Sequence, residues 1–392
     1  MSPLAQSELD KLTIRIMKQL SETDYACSSL TRLTNGTTNF VFRGALTHPL
    51  SPQPPSLPSE DYPQGHTVET VIVKHTTSFA ALNKDLPIDI SRCIIEASIL
   101  NLLNDFPDTT SSVRIPHLYV FNQNTSTQVL QDIPGVVDLK TVLVSPTANI
   151  VLSRSLTTSV GYALGSWLRS FHSWTSARSK ANTIKIGHNE PMRKLKYLIS
   201  YDAFIKSLEQ FPDVLGGYKE ALNDVKLMAS KEFERTASDD QGEEWGIIHG
   251  DFWTGNILIS EVQPSTQEPK LFVVDWEFVQ FGHRAYDIGQ MIGDLYERQH
   301  FNDAEAALWI IDAFIKGYGT VSEDMAFRIA IHAGVQLITW VVRGPPLHMR
   351  PAAAVQRATG AMKLGMKMVL RAGAKDKKWF ETSILAGLFR ND

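Results

Sequence analysis

Cysteine is nearly absent from this chain. Of 392 residues only Cys27 and Cys93 carry thiols, too few for a disulfide framework, so both are read as reduced. Positive charge is not in excess either: 38 lysines and arginines face 42 aspartates and glutamates, and a net charge of -4 offers no basic face to a nucleic-acid backbone. No stretch approaches the roughly 18 consecutive apolar residues of a membrane span, and the opening "MSPLAQSELDKLTIRIMKQL" lacks the unbroken apolar core of a secretory leader. The expectation is a soluble, cytoplasmic protein with neither nucleic acid nor membrane as a partner. What is present is an ordinary globular composition, 43% apolar and 20% charged, on a chain long enough for two domains.

Hydrophobic spacing predicts an amphipathic helix over 7–21, with Ser7 and Asp10 in capping-box spacing before it. "SLTRLTNGTTNFVFRGAL" reads as two strands joined by a tight turn at Asn35-Gly36. A stretch dense in proline and serine, 48–65, reads as an exposed loop. A third strand, "VETVIVKH", places Lys74 at the end of a buried run, where a charge is out of place unless it has work to do or snorkels to solvent. Helical periodicity over 88–104 has Glu96 in its middle, and "HLYVFN" and "STQVLQDI" read as two more strands. Residues 1–133 therefore predict a small, mostly antiparallel sheet carrying one helix. Beyond a hinge at Pro134-Gly135, residues 134–392 predict a mainly helical domain.

The chemistry concentrates in "IIHGDFWTGNILIS". His249-Gly250-Asp251 and Asn256 put a carboxylate and an amide on one short loop between apolar anchors. After a polar turn, "LFVVD" reads as a returning strand that brings Asp275 back beside Asn256, with Glu277 two positions on. Three carboxylates and an amide make an all-oxygen set, which suits Mg2+ held together with substrate phosphates rather than zinc. The bland alternative is that His-Gly-Asp caps a turn and Asp275 solvates a strand end.

With its Asp-x-x-x-x-Asn spacing behind His-Gly, this motif resembles the aminoglycoside phosphotransferase and choline kinase-like superfamily, and the order of elements along nearly the whole chain agrees. "VVDWEFVQFGHRAYDIG" looks most like the methylthioribose kinase-type branch. "DFWTGNIL", "VVDWE" and "IGDLY" are similar to the fungal 4-hydroxytryptamine kinases. The resemblance implies an α+β, bilobal protein-kinase-like fold with a small antiparallel-sheet N-lobe (1–133) and a mainly helical C-lobe (134–392). It also implies transfer of the γ-phosphoryl group of ATP, with Mg2+, to a hydroxyl of a small molecule. By position, Asp251 would orient the acceptor hydroxyl, while Asn256, Asp275 and Glu277 would hold the metal. Lys74 would grip the nucleotide phosphates and Glu96 would pair with it. The turn containing Gly36 and Asn39 would cover the phosphates, and main-chain groups of Leu130, Gln131, Asp132 and Ile133 would dock adenine.

Other residues have open readings. Asp287 is expected to brace the catalytic loop by hydrogen bonding. Trp253 and Trp276 flank the metal residues as surfaces on which an acceptor could stack, or as core. Asp294 and Glu297 lie one helical turn apart, placed either to receive a cationic amine or to form a solvated face. Arg343 is a further substrate candidate, although the doubled arginine of methylthioribose kinases is missing. Two rival functions are kept: a nucleotide-binding pseudokinase, and a protein kinase, for which the short interval between Asp275 and Asp287 leaves no room for an activation segment. The acceptor, an amine, indole, sugar or amino alcohol, is not readable from the chain.

Overall fold

Apolar residues returning every third or fourth position turn one face of the first helix, α1 (Gln6–Leu20), into the core, where Leu9, Leu12, Ile16 and Leu20 are buried. This computed structural model describes residues 2–34, 36–50, 67–107, 112–148, 152–177, 186–237, 242–260, 269–343 and 347–390. The cap of α1 differs from the expected one: the helix starts at Gln6, and the Glu8 carboxylate accepts from the Ala5 N–H at 2.9 Å, so Ser7 is already inside the helix.

The described residues divide into two compact units, Met1–Asn104 with Pro116–Pro134, and Asp105–Ile115 with Gly135–Asp392. In the first, strands β1 (Cys27–Leu33), β2 (Phe40–Leu50), β3 (Val68–His75), β4 (Leu118–Asn122) and β5 (Thr127–Gln131) form an antiparallel sheet in the order β1-β2-β3-β5-β4. The β1–β2 register pairs Leu33 with Val41, so six or more residues make the connection instead of a two-residue turn at Asn35-Gly36, and Asn35 itself lies outside the described residues. Strand β2 runs through His48 to Leu50, and most of the expected Pro-rich loop, 51–66, also falls outside the description.

Side chains alternate across a strand. Phe40, Phe42, Val71, Val73 and Val129 therefore meet α1 in one core, while Lys74 takes the opposite face, toward helix α2 (Arg92–Leu103). Gln128, opposite Lys74 in the β3–β5 register, donates to the Cys93 carbonyl at 3.1 Å and fixes α2 on that face.

The second unit opens with β6 (Val136–Asp138) and α3 (Leu139–Val144), whose N-cap Asp138 accepts from Thr141 N–H at 2.8 Å. Helices α4 (Arg154–Ser176), α5 (Glu190–Tyr197) and α6 (Lys219–Glu234) follow, then β7 (Trp245–Ile248), β8 (Ile257–Ser260), β9 (Leu271–Val273) and β10 (Gln280–His283). Helices α7 (Ala285–Asn302), α8 (Glu305–Tyr318), α9 (Glu323–Val341) and α10 (Ala352–Gly373) complete the bundle. β7 pairs with β10, and β8 lies between β9 and β6, with the short strand Val113–Arg114 beyond β9. Helices α4 and α8 cross at backbone contact. A Cβ on Gly165 would lie 2.1 Å from the Phe314 carbonyl oxygen, so only glycine permits that approach.

Candidate active site

The loop after β7 is held from behind by one face of α7. Asp287, fully buried, accepts from the His249 N–H at 2.8 Å and the Gly250 N–H at 2.9 Å, and the His172 ring lies 3.1 Å from the same carboxylate. The brace expected of Asp287 is thus present. Gly250 sits at φ +79°, and a Cβ there would meet the Phe278 carbonyl oxygen at 2.2 Å, which explains glycine between His249 and Asp251. Two helical turns beyond Asp287, Asp294 accepts from the N–H of Thr254 at 3.2 Å and from its hydroxyl, and pairs with Arg298 at 2.9 Å. Asp294 has no exposure, so the reading of it as a receptor for a cationic amine is corrected: it is the second brace of the loop.

Between the braces, Asp251 points its carboxylate into a set of four donors. Oδ1 accepts from Gln290 Nε2 at 2.6 Å and Lys196 Nζ at 3.3 Å; Oδ2 accepts from Asn256 Nδ2 at 3.1 Å and Trp253 Nε1 at 3.2 Å. Burial alone would raise the pKa of Asp251, but the Lys196 ammonium and the Gln290 hydrogen bond outweigh it and hold the group below the ordinary carboxylate value. Burial lowers the pKa of Lys196, opposed by Asp251. Burial also keeps His249 on the neutral side, with Nε2 3.1 Å from the Val274 carbonyl and Nδ1 accepting from Asp251 N–H at 3.3 Å.

Lys196 and Gln290 escaped the sequence reading. For Gln290 a signal existed, since Asp287, Gln290 and Asp294 recur at i, i+3 and i+7 on a helix otherwise rich in buried apolar residues, a polar stripe that needs a purpose. Lys196, on α5 and 55 residues from Asp251, had none.

The expected return of Asp275 toward Asn256 follows from the register. Ile257 pairs with Val273, and the Val274 N–H donates to the Asn256 carbonyl at 3.0 Å, which sets Asp275 one residue past the pairing. Asp275 adopts the left-handed conformation, φ 66° and ψ 69°, a strained choice for a side chain other than glycine and of the kind that collects at functional sites. Asn256 spends Nδ2 on the Asp251 carbonyl (3.0 Å) and carboxylate, which turns its Oδ1 away from Asp251. Glu277 is buried, with the Asn189 amide clamping its carbonyl at 2.8 Å. Among the described residues no group of three or more His, Cys, Asp or Glu side chains is arranged to hold a metal ion. The expected convergence of three carboxylates is therefore not a ready-made cage.

In the first unit, Lys74 Nζ lies 2.6 Å from Glu96 Oε1, with both side chains buried. The turn containing Gly36 and Asn39 is tied to α2 by Arg92, which is fully buried and donates to Asn39 Oδ1 at 3.0 Å and to the Thr38 carbonyl at 3.3 Å. The Asn39 side chain is thus engaged through Oδ1. Leu130 and Gln131 lie within the β3–β5 ladder, where Gln131 is the last paired residue, and Asp132 and Ile133 follow it. The Asp132 carboxylate is occupied by Arg43 at 2.7 Å and Thr70 at 2.7 Å.

The acceptor candidates separate by burial. Trp276 packs among Trp167, Phe171 and His249 with 1% exposure, so it belongs to the core and offers no face for stacking. Half-buried Trp253 lies 5.6 Å from the Trp340 ring, with Lys140 Nζ 5.4 Å from it on another side. The Arg343 guanidinium covers Trp340 at 4.0 Å. Glu297 pairs with Arg298 at 3.0 Å; burial, with Asp294 adding to it, pushes its pKa up to about 7.

Residues 143–327, which include the braced loop, the hairpin behind it and α7, match the phosphotransferase enzyme family (APH). Phosphotransferase FrzJ of Cladobotryum sp is 32% identical over 349 residues, covering 85% of this chain and 86% of that protein. A 4-hydroxytryptamine kinase of Psilocybe cubensis is 23% identical over 343 residues, 84% of this chain and 85% of the relative. Among solved structures, amicoumacin kinase in complex with AMP-PNP, Ca2+ and Ami superposes with a TM-score of 0.49 at 11% identity, over 97% of either chain. None of the described helices is long and apolar enough to cross a membrane. With a relative 32% identical running along most of both sequences and a family match over the braced Asp251 loop, the chain belongs to the phosphotransferase enzyme family.

Proposed function

We propose that this enzyme, a small-molecule kinase, transfers the γ-phosphoryl group of ATP to a hydroxyl of its acceptor, with Mg2+ bound beside the nucleotide. The observation that carries the reading is Asp251: a carboxylate kept ionised and aimed by four donors, on a loop that two buried aspartates hold in place. In phosphoryl transfer with a loose transition state the acceptor hydroxyl gives up its proton late, so position matters more than basicity. A carboxylate below its usual pKa fits that demand.

Asn256, through Oδ1, with Asp275 and Glu277, supplies the oxygen chemistry that a hard cation prefers. Too few ligands for a protein-only cage suits magnesium, which retains waters and takes the rest of its shell from phosphates. When bound, Mg2+ neutralises charge on the transferring phosphate. Lys74, held by Glu96, is assigned to the nucleotide phosphates, the main chain around Gly36 to their cover, and the main chain of Asp132 and Ile133 to the adenine edge. The unpaired, buried thiols of Cys27 and Cys93 suit a reducing compartment and support a cytoplasmic location.

The test is ADP release from Mg-ATP across hydroxylated indoles, amines, sugars and amino alcohols. Indoles come first, because two relatives are named for 4-hydroxytryptamine. Turnover with one class that disappears in Asp251→Asn is the expected result. Equal ADP release by wild type and Asp251→Asn with every acceptor would point to a pseudokinase, and better phosphorylation of peptides than of any small molecule would point to a protein kinase.

A further inference from the structure

The two oxygens of Asp251 are held by different parts of the second unit. Oδ1 belongs to the scaffold: its donors are Gln290 on α7 and Lys196 on α5, both buried, and Lys196 Nζ also donates to Gln290 Oε1 at 2.6 Å. The three groups close a triangle in which the Gln290 amide bridges lysine and carboxylate with both of its ends. Oδ2 belongs to the loop: its donors are Asn256 and Trp253, five and two residues along the same segment, and Trp253 is half-buried with a longer bond of 3.2 Å. A carboxylate accepts about four hydrogen bonds, so with all four positions taken a fifth donor must replace one of these. The buried pair on Oδ1 cannot be displaced without stranding an ammonium in the interior, whereas the indole N–H on Oδ2 can turn away at little cost.

Resting on the phosphotransfer reading above, we infer that Lys196 and Gln290 are positioning residues that fix Oδ1 of Asp251, so that Oδ2 is the working oxygen and the acceptor hydroxyl takes the place of the Trp253 N–H there. In the step this serves, the acceptor oxygen bonds the γ-phosphorus as the bond from phosphorus to the β,γ-bridging oxygen breaks. The electron pair of that bond leaves with ADP, and the hydroxyl proton passes to Oδ2. Without the triangle the carboxylate can rotate about its Cβ–Cγ bond, and misplacement on the scale of 1 Å at a reacting group costs roughly a hundredfold in rate. No motif marks either residue.

The experiment uses the full chain with Mg-ATP and the acceptor found above, comparing wild type with Lys196→Met, Lys196→Arg and Gln290→Leu. Turnover, AMP-PNP affinity by calorimetry and melting temperature are measured on each. Lys196→Met and Gln290→Leu are expected to lower kcat roughly a hundredfold while AMP-PNP affinity stays within about twofold. Lys196→Arg, which keeps a donor on Oδ1, is expected to recover about tenfold of the loss. Gln290→Leu keeps the volume of the site without a charge change, so it decides the matter if Lys196→Met fails to fold. Active wild type with both neutral variants within about threefold of it overturns the inference. So does a parallel loss of kcat, nucleotide affinity and melting temperature with no recovery in Lys196→Arg, the pattern of a merely structural pair. Wild type inert with every acceptor defeats the phosphotransfer reading itself, a different outcome from either.

Discussion

Among the described residues each unit buries one lysine against one carboxylate, and the two pairs are built differently. Lys74 and Glu96 meet at 2.6 Å on the face of a sheet, 22 positions apart in the chain. Lys196 and Asp251 stand 3.3 Å apart, share their charge with Gln290, and are 55 residues apart in the chain. On the proposed reading, the carboxylate of the first pair is the accessory that holds a lysine ready, and the lysine of the second is the accessory that holds a carboxylate ready. The difference teaches that a buried ion pair marks a site only when one asks which partner is left with something further to do.

That comparison can be broken most decisively at Asp251. Asp251→Asn keeps the shape but supplies no base and turns a donor toward Lys196, so ADP release with the acceptor is expected to fall about 10²–10⁴-fold. A fall of less than about tenfold would take the general-base role from Asp251.

The second difference concerns stability. With Lys74 at 6% and Glu96 at 2% exposure, removing the ammonium takes a charge partner at 2.6 Å from a buried carboxylate. Lys74→Met is expected to cost about 3–5 kcal/mol in a urea melt, and Lys74→Met with Glu96→Leu to regain most of it without regaining turnover. If the double variant is no more stable than the single one, the pair is not the source of the cost.

Acidity sharpens the comparison further, because the units carry groups shifted in opposite ways. Burial, with Arg15 adding to it, lowers His75 in β3 to about 4, so it stays neutral when folded. Its contribution is complete above pH 6.5 and is lost as pH falls from there to about 4, about 3 kcal/mol in all. Glu297 in α7, raised to about 7, does the reverse: its contribution is complete below about 4.5 and is lost as pH rises to about 7, again about 3 kcal/mol. His75→Gln should flatten the acid limb of a melting-temperature profile, and Glu297→Gln the limb between pH 5 and 8. Unchanged limbs would mean these groups titrate alike in folded and unfolded chains.

The smallest expected effect lies at α1. Glu8→Ala removes the carboxylate that caps Ala5 N–H in the first unit and touches nothing in the second, so it should cost about 0.5–1 kcal/mol with turnover unchanged. A larger loss would mean that α1 supports more than the sheet it covers.

Much of this was legible in the chain because local chemistry is written locally. An asparagine five residues from an aspartate and a hairpin that returns Asp275 both follow from spacing. So do the strand ending in Lys74 and the periodicity that carries Glu96. Residues whose role depends on a distant partner stayed open in the sequence. Trp276 had core as one of its two readings and is core, while Asp294, read as an amine receptor or a solvated face, is a brace; burial is a property of neighbours that spacing does not name. The hold of Arg92 on Asn39, from 53 positions away, likewise had no signal in the sequence.

The sequence by itself determined the chemistry, an oxygen-rich loop with its hairpin in one unit and an antiparallel sheet in the other, since those depend on residue type and short-range geometry. Only the tertiary structure decided which oxygen of Asp251 is anchored, because Lys196 and Gln290 come from separate helices and reach it only when α5 and α7 pack together. Side-chain direction and solvent exclusion exist only once that packing is complete, and those are what hold the Asp251 carboxylate in one direction.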